Sequence, residues 1–236
     1  MPTQPTLEKI RFIYYHFILP LTILVAVVLL LELTQLDVWF SSYFYNTKLH
    51  LWPYREHWLT QTVLHKGGRY FVYAIGVGLL LLCLASYRAS STFYAYRRHL
   101  AFLVLASLAG PLFITYLKSH THIYCPWDLK LFGGAKPYVR LFDPIDTNLS
   151  VGHCFPSGHS GLGFTFVSLY FFFLLVKPEY KYYGLAAGLV AGFIFGINQE
   201  IRGAHFFSHD VFALAICWFS SLLLFVVFFG RQFKYL

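Results

Sequence analysis

The sequence predicts an all-α polytopic membrane protein, a bundle of six transmembrane helices joined by two long outward loops. Of its 236 residues, 58% are hydrophobic and only 12% are charged, about half the charged share of an average soluble domain. Mean hydropathy is +0.58. Six stretches approach or exceed the roughly 20 apolar residues that one membrane crossing requires. This composition excludes a disordered chain and disfavours a soluble enzyme.

The apolar stretches cover residues 17–36, 70–87, 100–117, 159–176, 182–199 and 211–229. The first has a long apolar core and no small-residue cleavage site after it, so we expect a retained helix rather than a signal peptide. The length suits a single domain over residues 1–236. Glycines at positions 184, 188, 192 and 196 recur every four residues, which predicts close packing of that helix against a neighbour.

Six crossings place both termini on one side of the membrane. The Lys and Arg residues divide equally between the two sides, but those on the terminal side lie in short segments, which dominate the positive-inside bias. We therefore expect cytoplasmic termini and outward loops at residues 37–69 and 118–158. With a net charge of +8, the membrane surface is the expected partner, and nucleic acid is not. The aromatic loop 37–69 reads either as an interfacial anchor or as a wall for lipid access.

Unusual polar residues fall at the outward ends of three helices. Lys118 ends the third stretch, the run from Pro156 to His159 opens the fourth, and a run from Arg202 to Asp210 separates the fifth from the sixth. Ser157 and Ser208 are each suited to capping a helix N-terminus. The topology therefore brings cationic, hydroxyl and imidazole groups to one membrane face.

These residue types suit the cleavage of a phosphate ester. Helix N-termini bind phosphate, and Lys118 and Arg202 add full positive charges. One histidine can attack phosphorus while a second protonates the departing oxygen. Taken singly, Lys118 reads as a snorkelling lysine, His159 as a structural histidine and Ser157 as a simple cap. Their convergence at one face favours the phosphate site.

The pattern resembles the type 2 phosphatidic acid phosphatase family, which shares its site with vanadium haloperoxidases and glucose-6-phosphatase. The resemblance covers residues 118–210, the motif region, together with the six-helix layout. It implies a metal-independent membrane phosphatase with no cofactor and a phosphohistidine intermediate. The implied roles are nucleophile for His205, its orienting carboxylate for Asp210 and general acid for His159. The implied phosphate-binding groups are Lys118, Ser157, Gly158 and Arg202.

Three positions depart from the family pattern. The first motif ends in Cys125-Pro126 instead of Arg-Pro, and Arg140 or Lys136 is a candidate replacement for the missing arginine. His209 occupies the slot where the family has its aspartate, so Asp210 can serve His205 only if His205 precedes the helix. Gln199 stands where the family arginine usually stands, three residues before Arg202. The pair His205 and His209 also imitates a zinc-binding spacing, but it lacks the accompanying glutamate.

Cys125 and Cys154 both lie in the second outward loop, each beside a motif. In an oxidising periplasm they are expected to form a disulfide that pins the first motif against the second. Free thiols are the alternative. Cys83 and Cys217 lie within apolar stretches.

The expected function is the hydrolysis of a phosphomonoester or diphosphate on a membrane lipid. The substrates considered are phosphatidate, phosphatidylglycerol phosphate, undecaprenyl diphosphate and a lipid A phosphate, and the sequence does not separate them. The expected location is a bacterial inner membrane with the site facing the periplasm. A lipid phosphotransferase with the same site is the first alternative. A transporter is the second, although its charges would be expected at mid-membrane rather than at helix ends.

Overall fold

The computed structural model describes residues 4–144 and 148–230, and helices dominate these ranges. Its helices are α1 (Leu7–Leu33), α2 (Leu36–Ser42), α3 (Trp58–Ser86), α4 (Tyr94–Lys118), α5 (Gly158–Val176), α6 (Pro178–Ile201) and α7 (Phe207–Phe229). All except the short α2 are long and apolar enough to cross a membrane. No strand occurs within the described ranges. The predicted all-α polytopic membrane fold with six crossings is confirmed.

Two helices begin ten or more residues earlier than hydropathy predicted. The helix that continues into α1 begins at Gln4 rather than near residue 17, and α3 starts at Trp58 rather than near residue 70. The opening of α3 carries Gln61, His65 and other polar side chains, which lower its mean hydropathy. Its first stretch, Trp58–Gly67, is π-helical, a form that occurs frequently at functional sites. The first of the two long loops is therefore shorter than expected, at residues 34–57.

The glycine stripe of α6 forms the predicted packing face, with Gly184, Gly188 and Gly192 against α5 and Gly196 against α7. A Cβ atom at Gly188 would lie 2.4 Å from the backbone nitrogen of Val167, and one at Gly192 would lie 2.0 Å from the Phe164 ring. From the other side, a Cβ atom at Gly163 would lie 2.6 Å from the Ala191 backbone. Larger residues would push the two helices apart, so the stripe fixes α5 and α6 at close range.

The helix α5 lies at the centre of the bundle. In the most apolar part of α5, 56% of the residues are buried, against 11% in the corresponding parts of α1 and α3. An aromatic core surrounds its second half, where Phe171 of α5 meets Phe225 of α7 and Phe102 of α4 meets Phe229. The N-terminus of α5, with Ser157 before it, is therefore held in place by neighbours on several sides.

A second apolar cluster covers the end of the bundle that carries the two long loops. It consists of Tyr45, Trp52, Tyr124, Leu129, Phe132 and Phe206. Trp52 is thus a core residue of the loops, whereas Trp39 of α2 and Trp58 at the start of α3 are exposed. The predicted disulfide between Cys125 and Cys154 is present, with the Cα atoms 5.3 Å apart. The cluster and the disulfide together hold the two long loops over the ends of α5 and α7.

Candidate active site

The end of α4, the start of α5 and the loop before α7 meet at one end of the bundle, as the sequence predicted. A Cβ atom built on Gly158 would lie 3.6 Å from Lys118 Nζ. The backbone N–H of Ser157 donates to the carbonyl of His209 at 3.1 Å. The positive charge of Lys118 lowers the pKa of His205. A positive charge on His159 also lowers the pKa of His205. Five of the predicted site residues therefore lie around one small region, namely Lys118, Ser157, Gly158, His159 and His205.

The N-terminus of α5 supplies an anion-binding surface. Ser157 caps it as predicted, because its Oγ accepts from the backbone N–H of Ser160 at 3.4 Å. Ser157 is fully buried, whereas Gly158 is partly exposed beside the ammonium group of Lys118. Backbone N–H groups at a helix start and a nearby lysine are the elements that bind a phosphate group.

His205 pairs with His209 rather than with Asp210. Helix α7 begins at Phe207, so His205 lies in the preceding loop, as the predicted geometry required. The two Nδ1 atoms of His205 and His209 are 3.2 Å apart. His209 stands in the sequence where the family has its aspartate, and in the structure it also lies beside His205. The expectation that Asp210 orients His205 is not met by these contacts.

Asp210 instead lies behind the N-terminus of α5. Its polar neighbours are the side chains of Ser157, Ser160 and Glu200, and Gly196 leaves room for it, since a Cβ atom there would lie 2.2 Å from Oδ2. One residue further along a helix rotates a side chain by about 100°, which turns Asp210 away from His205. Asp210 and Glu200 are both fully buried. Glu200 was missed because it follows the predicted end of its apolar stretch.

His159 has a neighbour that no motif indicated, His65 of α3. Their ring centroids are 4.8 Å apart, and His159 Nε2 lies 3.2 Å from the carbonyl of Leu64. Phe195 of α6 packs on the same imidazole, with centroids 4.7 Å apart. The histidine at the head of α5 is therefore held between α3 and α6.

Arg202 is anchored by three partners. Its Nε donates to the carbonyl of Arg55 at 2.9 Å and its Nη1 to Gln199 Oε1 at 2.8 Å. Its Nη2 donates to Gln61 Oε1, which is also 3.1 Å from His65 Nδ1. Gln199, which replaces the family arginine in the sequence, thus holds the arginine that comes three residues later. Gln61 connects Arg202 to the His65–His159 pair.

Neither candidate for the missing arginine directs its charge to these residues. Arg140 donates to the carbonyl of Glu32 at 3.0 Å and pairs with Asp143 at 3.4 Å. Lys136 lies over the Tyr124 ring and donates to Ser150 Oγ at 3.2 Å. At position 125 the chain has a disulfide sulfur instead of a guanidinium. The substitution hypothesis for Arg140 and Lys136 therefore gains no support from the structure.

The electrostatic environment keeps His205 neutral. Burial, and then the positive charge of Lys118, lower the pKa of His205 well below 6.5. A neutral imidazole keeps a nitrogen lone pair for nucleophilic attack. Burial also lowers the pKa of Arg202, although a guanidinium stays charged in proteins. The candidate site thus combines a neutral imidazole with fixed positive charge.

Within the described ranges, the side chains closest to a metal-binding set are Cys154, His205 and His209. Cys154 is bonded to Cys125 and so has no thiolate to offer. The remaining pair of histidines is short of the three protein ligands of a typical zinc site.

Comparisons with known proteins identify the family of the chain. A family model described as the PAP2 superfamily matches residues 99–233, more than half of the chain. A lipid A 4'-phosphatase of Francisella tularensis subsp. novicida (strain U112) is 26% identical over 225 residues, covering 92% of this chain and 98% of that protein. No solved structure matches the chain. The chain belongs to the PAP2 superfamily, the type 2 phosphatidic acid phosphatases, and is a membrane lipid phosphatase.

Proposed function

We propose that the protein hydrolyses a lipid phosphate through a phosphohistidine at His205. The observation that carries the proposal is the convergence of Lys118, the N-terminus of α5 and two histidine pairs at one end of the bundle. His205 Nδ1–H donates to His209 Nδ1, which leaves the Nε2 lone pair free to attack phosphorus. His209 is then the orienting group, and Asp210 supports the Ser157 side of the site.

His159 serves as the acid and then the base. In its protonated form Nε2–H donates to the carbonyl of Leu64, and Nδ1–H is given to the departing oxygen as the P–O bond breaks. In the second step His159 takes a proton from water, the water oxygen bonds to phosphorus, and the P–N bond to His205 breaks. Free phosphate leaves, and both histidines return to their starting states.

The phosphate oxygens are held by Lys118, the backbone N–H groups that begin with Gly158, and Arg202. Three of the five guanidinium donors of Arg202 are committed to protein partners, so two remain for substrate. Fixed positive charge around the developing transition state usually supplies the largest share of the rate. These residues therefore stabilise the transition state without a metal ion.

Among the four substrates considered, we propose a lipid A phosphate. The relative named a lipid A 4'-phosphatase aligns over nearly its whole length. In addition, a cavity of about 480 Å³ lies between the outward loops and is lined by Trp52, Trp127 and the polar side chains of His50, Arg55 and Glu56. It adjoins the site, because the carbonyl of Arg55 accepts from Arg202. Indole rings and polar groups suit a sugar headgroup.

The test is phosphate release in detergent from all four lipid phosphates, with and without a chelator. We expect lipid A phosphate to be the best substrate, no effect of the chelator, and a loss of about 10³-fold or more in His205→Ala. His99→Gln is the matched control, since His99 lies at the opposite end of α4 from Lys118. Full activity in His205→Ala would refute the proposed nucleophile. Preference for another lipid would refute the substrate alone.

A further inference from the structure

We propose that reduction of the Cys125–Cys154 disulfide converts the His205–His209 pair into a binding site for Zn²⁺. Cys154 Sγ lies 3.4 Å from His205 Nδ1, and His205 Nδ1 lies 3.2 Å from His209 Nδ1. One ligand atom from each of these three buried residues lies within 4.8 Å of the others. The proposed metal binding depends only on these three residues and the charges around them. The expected inhibition of turnover by the bound metal rests in addition on the proposed role of His205.

The spacing fits a tetrahedral metal. With Zn–N bonds near 2.0–2.1 Å and a Zn–S bond near 2.3 Å, neighbouring ligand atoms are about 3.3–3.6 Å apart. The two measured separations, 3.2 and 3.4 Å, lie at this spacing. Three protein ligands leave a fourth position for water. Only small side-chain shifts are needed to place Zn²⁺ among the three atoms.

The charge on the Cys154 sulfur decides whether Zn²⁺ binds beside Lys118. The ammonium group of Lys118 acts on both His205 and His209, so a divalent cation bound to two neutral imidazoles alone would be repelled. A Cys154 thiolate offsets that repulsion, and a disulfide sulfur carries no charge to do so. The intact disulfide therefore keeps metal out of the site.

Cys154 stays in position when the disulfide opens. Cys154 is completely buried, and hydrogen bonds hold the chain on both sides of it. The backbone N–H of Gly152 donates to the carbonyl of Thr121 at 2.8 Å, and Thr121 Oγ1 donates to the carbonyl of Phe155 at 2.7 Å. These bonds do not involve sulfur, so the segment keeps its place beside His205.

The chemistry is a two-electron reduction followed by metal exchange for a proton. A dithiol reductant of the thioredoxin class gives two electrons and two protons, the S–S bond breaks into two thiols, and the reductant becomes a disulfide. Zn²⁺ then displaces the proton of the Cys154 thiol, which passes to solvent. The Cys125 thiol takes no part in binding.

Two serine variants separate the metal site from the loss of the disulfide. Cys125→Ser and Cys154→Ser both remove the cross-link, but only Cys125→Ser leaves the Cys154 thiol free. With Co²⁺ as the probe, we expect one bound ion with thiolate-to-cobalt charge-transfer absorption in Cys125→Ser. We expect no such absorption in Cys154→Ser or in the oxidised wild-type protein. The wild-type protein reduced with a phosphine should behave like Cys125→Ser.

Activity measurements complete the test. Zn²⁺ should inhibit Cys125→Ser and the reduced wild-type protein at concentrations at least 10-fold lower than those that inhibit Cys154→Ser, and a chelator should restore turnover. Equal Zn²⁺ inhibition of the two serine variants, or bound Co²⁺ without sulfur absorption, would overturn the proposal. Co²⁺ absorption without Zn²⁺ inhibition would confirm the metal site and count against His205 as nucleophile, so the two proposals fail separately.

Discussion

At the scale of single residues, His205 owes its expected reactivity to its surroundings. It is buried beside Lys118, and both effects lower the pKa of its imidazole well below 6.5. A histidine of this kind stays neutral through the physiological range and loses its lone pair only in acid. The activity of the enzyme should therefore persist below pH 6.5 as far as His205 is concerned.

Replacement of Lys118 tests this electrostatic effect. In Lys118→Met the neighbouring positive charge is lost, so the pKa of His205 should rise toward 6.5 while burial, the larger cause, keeps it below that value. The acidic limb of the kcat/KM profile should move to higher pH, and KM should rise because a phosphate ligand is gone. A profile of kcat/KM against pH for both proteins measures the shift. An unmoved acidic limb would contradict the assigned effect of Lys118 on His205.

The sequence predicted part of the site at this scale, and the reasons are physical. Lys118, Ser157, His159 and His205 lie in motifs whose position at helix ends is visible from hydropathy. His65 and Gln61 lie in a polar segment that hydropathy assigns to a loop. The partner of His205 depended on where α7 begins, and one residue of helix rotation decides between His209 and Asp210.

At the scale of helices, the start of α7 depends on Asp37 of α2. Asp37 Oδ1 accepts from the backbone N–H of Ser208 at 3.0 Å, and Asp37 is buried. Ser208, the predicted cap, is instead inside the helix that begins at Phe207. A carboxylate from another helix thus takes the place of a local cap, and it fixes the turn that carries His209.

Asp37→Ala should destabilise the protein by about 1 kcal/mol, as the loss of other N-caps does. Asp37→Asn keeps the accepting oxygen and should stay close to the wild-type protein. Burial raises the pKa of Asp37, although bonds from Ser208 oppose this. The folded state therefore favours the protonated acid, and stability falls as pH rises through the folded-state pKa. Thermal unfolding in detergent at several pH values measures both effects, and equal stability of the alanine and asparagine variants would contradict the cap.

At the scale of the whole molecule, the orientation in the membrane remains a proposal based on charge. We expect the loops that carry the site to face the periplasm and the termini to face the cytoplasm. Lys48 lies in the first outward loop and Ser90 lies between α3 and α4, and both are exposed. On intact cells, a membrane-impermeant maleimide should label Lys48→Cys and not Ser90→Cys. The reverse pattern would invert the proposed topology.

The architecture was the most predictable part of this molecule. Six apolar stretches and a glycine stripe define the number of crossings and a packing face on α6, because both depend on local composition and spacing. The covering cluster around Trp52 was not predictable, since aromatic residues near a membrane surface read equally well as anchors. Contacts between distant loops leave no periodic signal in the sequence.

The polar start of helix α3 contacts the candidate site from outside the family match. The family match begins at residue 99, yet the imidazole at the head of α5 touches His65, and Gln61 supports the third-motif arginine. In the proposed mechanism, the residues that do the chemistry therefore lie in the last four crossings, while residues of the first half of the chain position them. Relatives that share every motif can therefore differ in their preferred lipid through substitutions in a region that the motifs never reach.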